Sequence, residues 1–207
     1  MSAPREIPLF LLNTVLHSDG RIELRVFEPR YMEMVKECLR AAAPFGVCLI
    51  AQGEEVADPY AADAEPHPVG TLATIVDWDM PQLGILNIVA HGGQRFRIQS
   101  RRVASGGLMR AAVELLPAPP VVPVPGDYAR LVPMLRSLIE ALEDQPPQPH
   151  RFYDAAWVAD RWAELLPLPL PLRQQILEMD DGAARLDAIY RFLEEEGEDD
   201  EEPESES

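Results

Sequence analysis

Lys36 is the only lysine in the 207-residue chain. A phosphate-cradling P-loop requires a glycine-rich turn ending in Lys and Ser or Thr. No such run is present, and Lys36 falls inside a helical stretch. His17, His67, His91 and His150 stand apart, without the paired spacing of a zinc site. His91, beside Gly92 and Gly93, reads as a turn histidine bonded to backbone or water. Ser105 precedes two glycines, but its setting is a hairpin and no G-x-S-x-G surrounds it. Asp77 and Asp79 flank Trp78, and two carboxylates spaced by two on a strand can point to one side. Solvating a hairpin tip is a simpler use for them than acid–base work. Cys38, on an expected helix, and Cys48, in an expected buried strand, read as two buried thiols in a reducing cytoplasm. The residue types that do chemistry are therefore scattered. The expectation is no catalytic residue, no metal and no cofactor.

Composition narrows the classes further. Apolar residues make up 47% of the chain, a globular rather than a disordered content. The longest apolar runs fall far short of the roughly 20 residues needed to cross a bilayer. Arg5 and Glu6 near the N-terminus, with no long apolar stretch after them, do not make a secretory signal. A cytoplasmic protein is expected. The formal net charge is −17, and residues 194–207 hold ten acidic groups and no basic one. That leaves 25 acidic against 18 basic groups, near −7, for the body. Binding to phosphates relies on basic residues that release counterions. This balance argues against nucleic acid and against an anionic membrane surface as partners.

The elements that must position any site are legible in outline. Ile7 to Leu12 reads as a first strand, with Pro8 at an edge or strand start. Residues 17–20 turn the chain. Ile22, Leu24 and Val26 alternate with Arg21, Glu23 and Arg25, a strand with one face buried. At Pro29 the period becomes helical, with Tyr31, Met34, Val35 and Cys38 on one face, and proline suits the first turn. Phe45 to Ala51 is an unbroken apolar run, as expected of a buried strand. Residues 52–68 read as a surface loop, and Val69 to Trp78 as a strand. Asp79 to Gly84 reads as a hairpin connection, and Ile85 to Ala90 as the returning strand. Gly92 and Gly93 permit a bend or bulge. Arg95 to Arg101 alternates with Phe96 and Ile98 inward and Arg95, Arg97 and Gln99 outward on a wet face. A turn at residues 105–107 leads into a strand over Leu108 to Leu116. Pro117 to Gly126 contains five prolines and marks a boundary. Beyond it the pattern is helical. Leu131, Leu135, Leu138 and Leu142 form a stripe, and Pro133 makes that helix kink or begin late. Asp154 is positioned to cap a helix carrying Trp157, Val158, Arg161, Trp162 and Leu165. Residues 166–169 are extended. A short helix with Leu172, Ile176 and Met179 follows, then one capped by Asp181 with Leu186, Ile189, Tyr190 and Leu193 inward.

Ile7-Pro8-Leu9-Phe10, then Arg25-Val26-Phe27-Glu28-Pro29-Arg30-Tyr31, then Phe45-Gly46-Val47, resemble in order and spacing the N-terminal domain of Lon proteases. Later pieces agree: Val69-Gly70-Thr71, Gly92 followed by Arg95-Phe96-Arg97-Ile98, and Leu166-Pro167-Leu168-Pro169 before a leucine-rich helix. The resemblance spans roughly residues 5–195. It implies a barrel similar to the pseudouridine-synthase-and-archaeosine-transglycosylase (PUA-like) class, and a domain that captures and selects protein substrates. Lon proteases cut with a Ser–Lys pair, whose lysine must lose its proton to act as base. Lys36 lies on the helix that resembles the N-terminal domain, so neither motor nor protease is expected here. The chain reads as a stand-alone domain without those parts. Phe27, Glu28, Pro29, Arg30, Tyr31, Gly92, Arg95 and Phe96 carry the resemblance. Their simpler reading is structural: Glu28 at the positive end of a helix, Arg30 laying its stem on the sheet, and Tyr31 filling the helix–sheet interface.

The expected fold is thus α+β. A β-rich, barrel-like subdomain of about six mostly antiparallel strands with one helix occupies residues 1–116. A linker covers 117–126, a bundle of about four helices 127–193, and an acidic disordered tail 194–207. The expected function is non-enzymatic binding of unfolded or flexible polypeptide segments, as an adaptor that works with a protease or chaperone. Trp78, Met80 and Leu83 are the candidate gripping residues, because a hairpin tip offers apolar side chains no obvious core. Core packing is the default for Trp157 and Trp162. A second reading is a small-molecule module using the cleft between the two subdomains.

Overall fold

The computed structural model describes residues 5–52 and 64–199. Contacts divide the chain into two compact units, Met1–Ala118 with Pro146–Gln148, and Pro119–Gln145 with Pro149–Ser207. Among the described residues there are seven strands and five α-helices. No described helix is long and apolar enough to cross a membrane.

The first unit holds β1 (Arg5–Leu12), β2 (Arg21–Val26), α1 (Pro29–Ala41), β3 (Phe45–Gln52), β4 (Glu65–Pro66), β5 (Val69–Gln82), β6 (Ile85–Val103) and β7 (Met109–Leu115). Adjacent pairings run β1-β7-β6-β5-β3, and β3 then pairs with β1 in parallel, Leu9↔Gly46 through Leu12↔Leu49, so the ring closes. Parallel neighbours need a long crossover. Here β2 and α1 supply it, which is why a helix sits early in an otherwise β-rich unit. Phe96, Leu9, Ile7 and Val113 fill the barrel. Gly70 is needed there, since a Cβ would come within 2.4 Å of the Val47 carbonyl oxygen. A second core lies under α1, where Tyr31 stacks on Phe10 with ring centroids 3.9 Å apart. Pro29 occupies the first turn of α1.

Four elements differ from the sequence reading, the first being β4, a short strand within the expected loop 52–68 that pairs with β3. Asp79 to Gly84 is not a loop: β5 continues to Gln82 and pairs with Ile85, so the turn is Leu83-Gly84 alone, with Gly84 at φ 87°. The strands expected at 85–90 and 95–101 are one strand, β6. Its kink at Gly92 is absorbed by a register shift against Thr71 and Ala73. A Cβ on Gly92 would lie 2.1 Å from the His17 carbonyl oxygen. The glycine lets the 17–20 turn dock there, with Asp19 N–H donating to the Gly92 carbonyl and Gly92 N–H to the Gly20 carbonyl. Arg95, expected on the wet face, is only 2% exposed, and its guanidinium donates to the Pro117 carbonyl at 3.4 Å. Strand alternation places it outward, but the chain leaving β7 folds back over it, with Leu116 N–H donating to the Arg95 carbonyl.

The second unit contains α2 (Leu131–Ala141), α3 (Ala155–Leu165), α4 (Leu170–Glu178) and α5 (Gly182–Asp199). α2 begins late, so that Pro133 falls in its first turn, where proline is tolerated. Asp154 caps α3 through Ala156 N–H, and Asp181 caps α5 through Ala183 N–H at 2.8 Å. Trp157 and Trp162 are buried among Leu135, Ile139, Leu186 and Ile189. α5 continues past Glu194, where the sequence suggests the tail begins, to Asp199. Residues 53–63, most of the expected loop, and 200–207 of the expected tail lie outside the described residues.

Candidate functional site

Beyond the barrel, β5 and β6 run on together as a hairpin arm. Among the described residues β3 pairs with β5 only at Thr71, Leu72 and Ala73, so from Thr74 to Gln82 β5 pairs there with β6 alone. β2 flanks β6 over Leu86–His91 and completes a three-stranded sheet. Residues directly opposite in an antiparallel pair share a face. Trp78 stands opposite Ile88, and Leu24 opposite Ile88 from the other side. Ile88 is 1% exposed under α1, whereas Trp78 is 53% exposed. The apolar face of the arm therefore runs out of the core into solvent at β5. Met80 follows at 43% exposed, and Leu83 at the turn is 94% exposed. Asp77 and Asp79 stand opposite Val89 and Asn87, on the other face. The three expected gripping residues thus occupy one arm and are all open to solvent.

Two further apolar residues, one on β5 and one just after β2, are exposed. Val76, in the register shift between Ile75 and Asp77, is half exposed. Phe27, one of the family-motif residues, is 56% exposed, while Tyr31 and Phe96 are buried. Its signal was available, since it follows the inward Val26 in an alternating strand. Glu28 does not cap α1 with its side chain. Its carboxylate instead accepts from Arg30 Nε at 2.9 Å, and the Arg30 guanidinium lies 4.5 Å from the Tyr31 ring centroid. An open recess of about 380 Å³ is lined by Glu23, Leu24, Arg25, Asn87, Ile88 and Val89 on the β2–β6 side of the arm.

No set of three His, Cys, Asp or Glu side chains among the described residues converges as a metal site. Burial pushes the Cys38 thiol up to about 11, and raises the Cys48 thiol as well, so neither is a nucleophile near neutral pH. Burial and the Arg21 charge lower the pKa of His91, which pairs with Arg21 across β2 and β6. Lys36 is tied to Glu33 on the surface of α1. In the second unit His150 packs 5.7 Å from both Phe152 and Trp157, centroid to centroid.

Fold and site together define an α+β protein with a closed PUA-like barrel, an apolar hairpin arm and a four-helix unit. The chain belongs to the ATP-dependent protease La (LON) substrate-binding domain family, whose model matches residues 6–195. It is 30% identical over 198 residues to the Lon protease of Paraburkholderia phytofirmans, covering 91% of this chain and 24% of that protein. Against the Lon protease of Anaeromyxobacter dehalogenans the identity is 25%, covering 92% and 23%. The chain thus spans about a quarter of the length of these relatives. Among solved structures it is similar to a Lon N-terminal domain protein from Xanthomonas campestris, with TM-score 0.73 and 32% identity, covering 91% of this chain and 98% of that one. The N-terminal domain of Lon protease from the Mycobacterium avium complex shares the fold at TM-score 0.61 and 14% identity, covering 92% and 98%.

Proposed function

We propose that this chain works by binding alone, holding unfolded or flexible polypeptide segments on the β5–β6 arm through Trp78, Met80 and Leu83. One observation carries the reading: an apolar face continuous with the α1 core is left open along a half-paired strand. Each large apolar side chain kept in water forgoes about 1.5–3 kcal/mol of burial. A partner that covers the arm recovers it. Family membership supplies the class of partner, because the family is a substrate-binding one. The negative charge of the body, with Asp77 and Asp79 on the far face of the arm, favours basic or neutral segments. In this reading the chain acts as an adaptor in protein quality control, and a protease or chaperone supplies the chemistry.

The test is a fluorescence-anisotropy titration with a labelled, permanently unfolded polypeptide. Saturable binding is expected, weakened by Trp78→Ala and by Leu83→Ala. Absence of saturable binding, or binding untouched by both changes, overturns the proposal.

A further inference from the structure

Among the described residues the three-stranded sheet of the arm has two edges without a further strand, and they are guarded differently. On β5 the register shifts after Ile75 and again after Asp79, Pro81 has no N–H to offer, and Trp78 N–H already donates to Asp77 Oδ1 at 2.9 Å. Bulges, prolines and locally satisfied donors all deny an edge to another strand. Among the described residues β2 carries no bulge and no proline. It pairs with β6 without a shift from Arg21↔His91 to Val26↔Leu86, and no strand among the described residues pairs with its outer side. Its only guard is the charge on Arg21, Glu23 and Arg25.

That guard fails against a second copy of the same strand. With Leu24 on a two-fold axis, an antiparallel pair sets Glu23 against Arg25 twice, Ile22 against Val26 twice, and Leu24 against Leu24. Every residue from Ile22 to Val26 then has a favourable neighbour. Placing Glu23 on the axis sets Glu23 against itself and Arg21 against Arg25, which repel. Placing Ile22 there pairs only Arg21 to Glu23. Arg25 is exposed. Glu23 is 60% exposed beside Arg21 at 2.7 Å, so both members of the new pair are accessible. An open recess lined by Glu23, Leu24 and Arg25 with Asn87, Ile88 and Val89 lies over the β2–β6 pair beside this edge. We propose that the chain self-associates through β2, forming a symmetric dimer in which one sheet runs through both copies with Leu24 at the axis. This rests on the β2 edge alone and is independent of polypeptide capture on β5.

Sedimentation of the full chain over a wide concentration range, at low salt to limit screening, tests it. A reversible monomer–dimer equilibrium is expected. Glu23→Arg alone and Arg25→Glu alone should each weaken it by at least about tenfold, because like charges then face each other. The double variant E23R/R25E should restore it. Under mild oxidation Leu24→Cys should cross-link two copies, as the opposed Cα atoms of a strand pair fall within disulfide range, while Ile22→Cys should not. Circular dichroism confirms that each variant is folded, and the exposed charge changes suffice if a cysteine variant is not. A purely monomeric wild type, a double variant no better than the singles, or cross-linking through Ile22→Cys instead would overturn the proposal. So would β2 variants that leave sedimentation unchanged yet lose an unfolded polypeptide, since the edge would then take a foreign strand.

Discussion

The helical unit and the hairpin arm break the rule of apolar inside and charged outside in opposite directions. In the helical unit Arg185, 1% exposed, meets the buried Asp160 at 2.6 Å and donates from Nε to the Met179 carbonyl at 3.0 Å. Arg161, equally buried, meets Glu164 at 2.9 Å and lies over the Trp157 ring. On the arm, Trp78, Met80 and Leu83 stand in water. Buried ion pairs give little net stability compared with apolar packing, but losing one member is costly. The Arg185–Asp160 pair joins α5 to α3 and fixes which of their faces meet, while Arg161–Glu164 lies within α3. The exposed apolar surface of the arm gives the fold little and is open to a partner. The contrast separates residues held for architecture from residues held for binding, and it can be broken at either end.

The largest effect should come from Asp160→Ala, which leaves Arg185 buried without its carboxylate. Chemical denaturation should record a loss of about 3–5 kcal/mol. A loss below about 1 kcal/mol would mean that the pair does not organise the unit. Gly92→Ala forces a methyl group onto the His17 carbonyl, and overpacking against backbone should cost about 1–3 kcal/mol or more. Asp154→Ala removes the cap of α3 and should cost about 1 kcal/mol. His91 carries a depressed pKa in the folded state, so its contribution is full above the ordinary value of 6.5 and shrinks as pH falls below it. His91→Gln should flatten that part of the pH–stability curve. The smallest effect belongs to the tip of the arm: Leu83→Ser, at a residue 94% exposed, should change stability by less than about 0.5 kcal/mol.

The local parts of this fold were legible because their causes are local. Alternation in Ile22–Val26, proline at position 29 and aspartates at 154 and 181 each act within a few residues. The ring closure by β1 and β3 was not, since nothing near Leu9 names Gly46 as its neighbour. The burial of Arg95 also escaped, because alternation assigns a face but does not say what later crosses that face. Arg161, between Trp157 and Trp162 on α3, is likewise buried, which the helical spacing alone did not reveal. The exposure of Trp78, Met80 and Leu83 was readable from their nearness to a turn. That the turn shrinks to Leu83-Gly84, with paired strands beneath it, depended on the register of β5 against β6.

Trp78 provides the most direct test, because of the three tryptophans it alone is exposed, Trp157 and Trp162 being buried. Acrylamide quenching can be followed while a tryptophan-free, permanently unfolded polypeptide of basic net charge is added. If the arm is the gripping surface, the quenchable part of the emission falls to the level of the two buried tryptophans as binding saturates. If binding saturates while Trp78 remains as accessible as before, the polypeptide is held elsewhere and the account of the arm is wrong.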